Sequence, residues 1–444
     1  MNCKKLILSI SALLLCSQWA QAQVVKVQVV QEGNAYHLDR GGNPYYIKGA
    51  GGHVYLDELK DIGGNSIRTW SLDNAKKYLD EAHKRGLTVM MGLWVQHERH
   101  GFDYDDKNAV KKQLEYFTRK VKEIKDHPAL LFWGIGNEVD LFYKNTKVWD
   151  AIQDIAKMIH EVDPNHPTST VTAGLDSMEV ALIKQKAPDI DIYCVNTYGD
   201  LKNAVNNIDK FGWTGPYMIT EWGPNGHWEV AKTAWGIPIE QSSSQKAISY
   251  EDRYRAIAAD SATCLGSYVF LWGQKQETTS SWYGLFSKKG EQTEILDVLH
   301  RFWKGGEPAN RCPQISDFGI MQSDVLQKKP VLNSGERYTA KTVFKDMDGD
   351  KLKLTWSVVE ESTNTKSGGD AESEPPAIPG LIKKKKGYTA EFKAPKKEGA
   401  YRLFVYAYDK KGHVAYVNIP FYVKPSSKAD RVRLKKRNLD FTYN

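Results

Sequence analysis

Cysteine is scarce in this chain of 444 residues. Of its five cysteines, only Cys194, Cys264 and Cys312 follow the first 22 residues. An odd number of cysteines without short spacings argues against a disulfide framework and against a cysteine-rich zinc site. Cys194 and Cys264 lie in apolar stretches, so we interpret both as small buried hydrophobic residues.

Long hydrophobic runs are also missing beyond the N-terminus, since no later stretch reaches the ~20 apolar residues that span a bilayer. The N-terminus has Lys4 and Lys5, then the apolar stretch Leu6–Cys16, and then Ala-Gln-Ala at 20–22. This order predicts a signal peptide over residues 1–22 and an exported protein, periplasmic or extracellular. Lipidation of the cysteine that ends the apolar stretch is the alternative, although a leucine precedes it where a small residue is required.

Several motifs of other protein classes are missing too. No internal repeat at a solenoid period is visible, which argues against a repeat array. The stretch Gly49–Gly52 is rich in glycine but lacks the G-x-G-x-x-G order of a dinucleotide-binding fold, so a doubly wound sheet is the weaker alternative for the fold. No G-x-S-x-G motif is present, so nothing supports a serine esterase.

Charge is unevenly distributed along the chain. The net charge is +7, but residues 310–444 carry +10 and residues 1–309 carry −3. The basic runs Lys383–Lys386 and 431–437 are of a kind that can bind nucleic acid. In an exported protein a solvated face, or loose attraction to acidic cell-surface polymers, fits them better. We therefore expect no nucleic-acid partner, and we expect a monomer.

From Tyr46 to about Trp303, short β-rich runs alternate with stretches of helical period. Eight such units over this length predict a (β/α)8 TIM barrel. The predicted strands are Tyr46–Ala50, Asn65–Trp70, Leu87–Trp94, Leu130–Asn137, Thr168–Thr172, Ile190–Asn196, Tyr217–Glu221 and Ser267–Trp272. The predicted helices include Asp73–Arg85, Lys107–Lys125, Thr146–Val162 and Tyr250–Thr263.

Beyond the Gly-Gly-Glu-Pro sequence at 305–308 the pattern changes to alternating strands separated by turns. This predicts a small all-β sandwich of immunoglobulin type, without the Cys-Trp-Cys pattern of antibody domains. The polar insertion 362–379 is predicted to be a mobile loop. The acidic turn 346–350 is interpreted as a plain turn rather than a calcium site, because it lacks the downstream glutamate of an EF-hand.

The predicted organisation has five parts. They are a signal peptide at 1–22, the barrel at 23–306, a linker at 307–312, the immunoglobulin-like sandwich at 313–424 and a basic tail at 425–444. Of the possible roles of the second domain, a structural prop is favoured over a spacer or a binding module. Trp356, its one tryptophan, lies in an alternating strand and is predicted to be core.

Two glutamates end two of the predicted barrel strands. Glu138 follows the fourth strand and Glu221 ends the seventh. Charged residues rarely end apolar strands unless solvent or function requires them. Chemistry in a (β/α)8 barrel takes place at the C-terminal ends of the strands. With Asn137 before one glutamate and Trp222 after the other, the pair predicts an active site.

Asn137-Glu138 and Glu221-Trp222 resemble the paired glutamates of clan A glycoside hydrolases, which are retaining enzymes with a (β/α)8 barrel. The resemblance extends over residues 24–305. Within the clan, the strand Ser66–Trp70 and the segment His97–Gly101 resemble family 2 barrels. A lone barrel with one trailing immunoglobulin-like domain departs from true family 2 and is more similar to glycoside hydrolase family 158, whose known activity is endo-β-1,3-glucanase.

The resemblance implies that Glu138 is the acid/base and Glu221 the nucleophile of a double displacement. Retention needs the two carboxyl groups ~5 Å apart, with the pKa of the acid raised. Arg68, at the end of the second strand, is expected to keep Glu221 ionised. Asn137 is expected to bond the sugar 2-hydroxyl, and Tyr198 to donate a hydrogen bond to Glu221.

Tryptophan is concentrated in the first domain, since only Trp356 of the 13 tryptophans follows Ala309. Sugar rings have an apolar C–H face that stacks on indole, so aromatic side chains at one rim predict a carbohydrate cleft. The remaining predicted substrate contacts are Trp94, His97, His100, Trp222, Trp272 and Trp282. His97 and His100 are interpreted as positioning sugar hydroxyls rather than binding zinc. We expect neither a metal nor a cofactor.

These features predict a secreted retaining endo-β-1,3-glucanase acting on a laminarin-type β-glucan. Another β-glycosidase of the same clan, acting on a different β-linked polysaccharide, is one alternative, and a transglycosylase is another. A catalytically idle carbohydrate-binding protein is an alternative of a different class, against which the presence of both glutamates argues.

Overall fold

A computed structural model describes residues 24–425 of the chain. It contains a closed barrel of eight parallel strands, surrounded by helices and followed by two β-sheets. The predicted TIM barrel with a C-terminal all-β domain is confirmed, while the immunoglobulin type of that domain stays a prediction. The predicted signal peptide and the basic run at 431–437 lie outside the described residues.

An antiparallel sheet closes the N-terminal end of the barrel. It consists of β1 (Val27–Glu32), β2 (Ala35–Arg40) and β3 (Pro44–Tyr45). Val27 and Leu38 are buried in one cluster with barrel residues. This sheet was not predicted from the sequence. It seals the bottom of the barrel and leaves the opposite end open.

All eight predicted barrel strands are present at or close to their expected places. They are β4 (Ile47–Gly51), β5 (Ser66–Arg68), β6 (Thr88–Leu93), β7 (Leu130–Ile135), β8 (Thr168–Ala173), β9 (Ile192–Asn196), β10 (Tyr217–Trp222) and β11 (Cys264–Val269). The barrel closes where β11 pairs with β4. Most strand residues are buried because side chains fill the barrel and helices cover its outside.

In the described part of the chain, eight α-helices surround the barrel. They are α1 (Leu56–Asp61), α2 (Ala75–Lys84), α3 (Lys107–Ile124), α4 (Lys147–Val162), α5 (Ser177–Lys186), α6 (Leu201–Asn207), α7 (Ser243–Ala259) and α8 (Glu294–Trp303). The fourth predicted helix begins at Ser243 rather than Tyr250, because Ser242 and Gln245 form a capping box at its start. Within residues 24–425, none of the helices has the length and hydrophobicity that crossing a bilayer requires.

The β domain has a five-stranded and a four-stranded sheet. Its strands are β12 (Gln314–Gln322), β13 (Val325–Gln327), β14 (Val331–Asn333), β15 (Arg337–Lys345), β16 (Lys353–Glu360), β17 (Ile382–Lys386), β18 (Thr389–Lys393), β19 (Gly399–Tyr408) and β20 (Val414–Lys424). One apolar cluster draws on both sheets and includes Trp356, as expected. At the acidic turn, carboxylate oxygens of Asp346 and Asp350 lie within 4.8 Å of each other and of one from Asp409.

A buried polar cluster joins the β domain to the barrel. Glu240 accepts hydrogen bonds from Lys246 Nζ and Asn418 Nδ2, both at 2.5 Å. It also accepts from Thr279 Oγ1 at 2.6 Å and Ser281 Oγ at 2.9 Å. Four donors thereby satisfy both carboxylate oxygens of Glu240, and one of the donors comes from β20.

The cluster stabilises the loops that follow β10 and β11, since Glu240 lies on the first loop and Thr279 and Ser281 lie on the second. Burial raises the pKa of Glu240, but Lys246 and Arg402 outweigh burial and hold it below its usual value. Glu240 is therefore a carboxylate whose charge depends on Lys246. Both side chains have 1% or less of their surface exposed.

We predict that Lys246→Met strongly destabilises the protein. Removing one partner of a buried ion pair leaves an uncompensated charge and costs ~3–5 kcal/mol. The measurement is the midpoint of chemical unfolding. As a control, Lys76→Met breaks an exposed ion pair with Asp80 and should change stability by no more than ~1 kcal/mol. Similar small effects in both variants would show that Glu240 does not depend on Lys246.

Candidate active site

Glu138 and Glu221 line one cavity at the open end of the barrel. Glu221 belongs to β10, and Glu138 lies just beyond β7. The backbone of Glu138 has φ +50°, a left-handed conformation that is uncommon for a residue with a side chain. Such strain persists only where the surroundings impose it, and it concentrates at functional sites. The cavity has a volume of about 910 Å³.

Arg68 lies beneath Glu221 with only 1% of its surface exposed. Its Nη1 donates to Glu221 Oε1 at 3.0 Å, to Thr220 O at 2.7 Å and to Asn196 Oδ1 at 3.2 Å. Its Nη2 donates to Asn137 Oδ1 at 2.6 Å. The expected pairing of Arg68 with Glu221 is present.

Asn196 connects the two glutamates. Its Nδ2 donates to Glu138 Oε1 at 2.8 Å and to Asn137 Oδ1 at 3.1 Å. Its Oδ1 accepts from Arg68, which in turn holds Glu221. Asn196 was not among the predicted site residues. Its position at the C-terminal end of a predicted strand is the sequence signal that could have identified it.

Glu221 has two further donors. Tyr198 Oη donates to its Oε2 at 3.0 Å, which is the hydrogen bond expected from the sequence. Trp70 Nε1 donates to its Oε1 at 2.8 Å, a contact that was not anticipated. Three donors from different side chains hold the carboxylate of Glu221 in one orientation.

Glu138 has different surroundings. Burial is the largest influence and the negative charge of Glu221 the second, and together they raise its pKa from 4.5 to about 8, against the hydrogen bond from Asn196. The positive charge of Arg68 also lowers this pKa, but less than the other influences. Glu138 therefore keeps its proton near neutral pH, as a general acid must.

Trp94, His97 and His100 form a stack. The ring centroids of Trp94 and His97 are 4.8 Å apart, and those of His97 and His100 are 5.3 Å apart. Trp94 lines the cavity, but His97 does not and is 1% exposed. Burial, reinforced by Arg99 and His100, lowers the pKa of His97 to about 4. His97 is thus a neutral packing residue rather than a sugar contact.

The structure corrects the expected contacts of three tryptophans. Trp222, Trp272 and Trp282 are fully buried, and none of them lines the cavity. Successive residues of a strand point to opposite faces, so Trp222 faces outward to Tyr250 and Tyr254 of α7 while Glu221 faces the cavity. Trp272 packs against Phe286, and Trp282 donates to Asn225 O.

Other aromatic residues occupy the cavity wall. Phe142 and Trp228 line it with 66% and 57% of their surfaces exposed. Neither residue was among the predicted substrate contacts. The cavity is also lined by Ser367 to Asp370 of the β domain, within the insertion predicted to be a mobile loop. Hydrogen bonds and ion pairs hold that insertion against the barrel.

This arrangement of the barrel agrees with a comparison to protein families. Residues 56–282, about half of the chain, match the TIM barrel domain of glycosyl hydrolases family 2. The chain belongs to this family. The family 2 features expected of the barrel are therefore confirmed, while the closer resemblance to family 158 stays a prediction.

The family 2 chain is similar to several β-glucuronidases. It is 26% identical over 310 residues to that of Streptococcus agalactiae, covering 59% of this chain and 50% of the relative. It is 21% identical over 178 residues to the dog enzyme, covering 35% of this chain and 25% of the relative. The chain thus spans half or less of the length of these curated relatives.

Solved structures share the fold of the family 2 chain. Lactobacillus rhamnosus β-glucuronidase matches with a TM-score of 0.50 and 17% identity, over 63% of this chain and 52% of that one. A mutant of Bacteroides uniformis β-glucuronidase 2 matches with a TM-score of 0.50 and 14% identity, over 90% and 48%. At such identities the likeness concerns the fold alone.

We predict that Glu138→Gln stabilises the family 2 chain at neutral and alkaline pH but not at acidic pH. Because the folded-state pKa is above the unfolded value, the folded state must either hold a proton or bury a charge, and wild-type stability falls between about pH 4.5 and 8. Glutamine carries no charge at any pH and avoids this loss. The measurement is the melting temperature of both proteins from pH 4 to 9.

The matched control is Glu115→Gln on the exposed face of α3, which should show no such growing difference. A gain for Glu138→Gln that is equal at pH 4 and pH 8 would contradict the raised pKa.

Proposed function

We propose that the protein is a retaining β-glycosidase that cleaves a neutral β-linked glucan, with endo-β-1,3-glucanase as its specific activity. The observation that carries the proposal is the unequal environment of Glu138 and Glu221 on one cavity. One has a raised pKa and the other is paired with Arg68. An acid beside a fixed carboxylate is what double displacement requires.

In this mechanism Glu221 attacks the anomeric carbon while Glu138 gives its proton to the leaving oxygen. A covalent glycosyl–enzyme forms and the aglycone departs as an alcohol. Glu138, now ionised, takes a proton from water, which attacks the same carbon and restores Glu221. The product keeps the β configuration. Asn137 faces the cavity, where it is placed to bond the 2-hydroxyl of the sugar at Glu221.

The charge of the cavity favours a neutral sugar. Among the described residues that line it, Lys275 is the only lysine or arginine, and its Nζ pairs with Glu277 at 2.9 Å. The lining carboxyl groups are Glu138, Asp176, Asp200, Glu221, Glu229, Glu277 and Asp370. Glu138 keeps its proton, and arginine or lysine pairs with Glu221, Glu277 and Asp370. Asp176, Asp200 and Glu229 still make the cavity acidic, and a cavity of this sign repels anionic ligands.

The size and walls of the cavity favour a polysaccharide. Its volume of about 910 Å³ lies near the upper end of the usual ~300–1,000 Å³ for ligand pockets. Phe142 and Trp228 expose aromatic surface on it. Both features suit several sugar rings bound in a row, as in an endo-acting enzyme.

A β-glucuronidase is the second candidate, because the similar proteins carry that name. Lys275 is the residue that favours it, as a cation on the cavity wall able to meet a carboxylate. The engagement of Lys275 with Glu277 and with Gly369 O favours the neutral glucan instead.

We predict that azide reveals the separate roles of the two glutamates. On a dinitrophenyl glycoside, whose leaving group needs no proton, Glu138→Ala should accumulate the glycosyl–enzyme, which azide converts to the β-glycosyl azide. In Glu221→Ala, azide should displace dinitrophenolate directly and yield the α-glycosyl azide. The anomeric configuration is read by NMR. If the two configurations are interchanged, the roles of the two glutamates are interchanged as well. If neither variant forms an azide product, neither glutamate has its proposed role.

We predict that β-1,3-glucan gives a ladder of oligosaccharides over time. The panel contains linear and branched β-glucans, mixed-linkage glucan, xylan, mannan and an aryl β-glucuronide, and products are separated by chromatography. The acidic cavity should make the glucuronide the poorer substrate. Release of monosaccharide alone, cleavage of another backbone, or preference for the glucuronide would overturn the endo-β-1,3-glucanase assignment but not the two-glutamate mechanism.

The same panel distinguishes the other possibilities. A transglycosylase would also form products longer than the substrate. A carbohydrate-binding protein without catalysis would form no products, and Glu221→Gln would leave its function intact. An exported location, proposed from residues 1–22, agrees with a polysaccharide substrate.

A further inference from the structure

The β domain extends a segment, residues 362–379, to the open end of the barrel. This cleft segment leaves after β16 and returns before β17. Its residues Ser367 to Asp370 line the same cavity as Glu138 and Glu221. Ser367, Gly368 and Gly369 are exposed. A part of the second domain therefore faces the space where the substrate is proposed to bind.

Two barrel loops hold the tip of the cleft segment. Arg99 Nη1, on the loop after β6, pairs with Asp370 at 2.9 Å, and His100 Nε2 lies 3.3 Å from the same carboxylate. Lys275 Nζ, on the loop after β11, donates to Gly369 O at 2.8 Å. The tip is thus fixed from both sides of the rim.

The rest of the cleft segment is anchored along the loop after β11. Glu372 accepts the backbone N–H of Thr278 at 2.7 Å and that of Lys366, within the segment, at 2.9 Å. Glu374 pairs with Lys288. These contacts order an insertion whose composition is typical of a loose loop.

Glycine residues at the tip permit this close packing of the cleft segment against the barrel loops. Gly368 has φ +62°, and an added Cβ would lie 2.8 Å from Leu141 Cδ2 and 2.9 Å from Arg99 Nη2. Gly369 has φ +72°, and its Cβ would lie 3.2 Å from Lys275 Nζ. Both positions combine a left-handed conformation with close neighbours, which glycine alone accommodates without strain.

The cleft segment lies at a part of the barrel rim where the barrel's own loops are short. In the barrel, β4 and β5 stand between β11 and β6. Their following loops, 52–55 and 69–74, are short, whereas the loop after β11 covers 270–293. Anchored to the loops after β11 and β6, the segment bridges this low part of the rim.

We propose that residues 367–370 form a glycan subsite beyond the sugar that Glu221 attacks, so that the β domain takes part in selecting chain length. This inference rests on the proposed function and deepens it. The Ser367 hydroxyl and the exposed peptide groups of Gly368 and Gly369 supply hydrogen bonds to the hydroxyls of a neutral sugar. The Arg99–Asp370 ion pair holds them in position.

The first test is Asp370→Ala, assayed on β-1,3-linked oligosaccharides of increasing length and on an aryl β-glucoside. We expect kcat/KM for the longer oligosaccharides to fall about tenfold, mainly through KM, since a lost subsite removes uniform binding. The aryl β-glucoside contains only one sugar, the one that is attacked, so it should react as in the wild type. The matched control is Asp317→Ala, which cuts an exposed ion pair with Lys328 in the same domain and should leave both substrates unaffected.

The second test is Ser367→Trp, which keeps the anchors and adds bulk to the exposed tip. A changed ratio of long to short oligosaccharide cleavage, in either direction, supports contact with the glycan. An unchanged ratio in this variant, or an equal loss on all substrates in Asp370→Ala, overturns the subsite while the proposed function stands. If the wild-type protein cleaves no glycan of the series and no aryl β-glucoside, the proposed function fails and the subsite fails with it.

Discussion

The open end of the barrel depends on one buried guanidinium group. Arg68 extends from β5 and donates to acceptors on or just beyond three other strands, namely Asn137, Asn196, Thr220 and Glu221. Two carboxyl groups that share a poorly hydrated site cannot both ionise cheaply. Arg68 pairs with Glu221 and contacts the other glutamate only through amides, while burial and the negative charge of Glu221 raise the pKa of Glu138 to about 8. This division of labour is what acid–base chemistry at one sugar ring requires.

The two domains form one functional unit around this centre. Glu240 gathers donors from the loops after β10 and β11 and from β20. These loops also carry Trp228 and Lys275 of the cavity wall. The β domain holds these loops through the hydrogen bond from Asn418 to Glu240. Its cleft segment also lines the cavity itself. The role of the β domain as a structural prop stays a prediction, and its residues on the cavity wall suit the further role proposed above.

The site keeps features that cost stability. Glu138 has a left-handed backbone and a carboxyl group whose ionisation is disfavoured by burial. Strain of this kind is maintained by its surroundings. Here they are the buried strand β7 and the amide of Asn196. The buried His97 packs against Trp94, which lines the cavity.

The barrel, its eight strands and the two strand-end glutamates could be predicted from the amino-acid sequence. Strand and helix periodicity is a local property, and a charged residue after an apolar run can be recognised without the structure. Arg68 was expected from its place at the end of the second strand, and the hydrogen bond from Tyr198 was expected from the resemblance. Three features could be seen only in the folded protein: the direction of Trp222, the position of Asn196 between the glutamates, and the packing of the cleft segment. The sequence does not show which face of a strand end points to the cavity or which groups lie beside an amide. The contacts that hold the cleft segment come from Arg99 and Lys275, which are distant in the sequence.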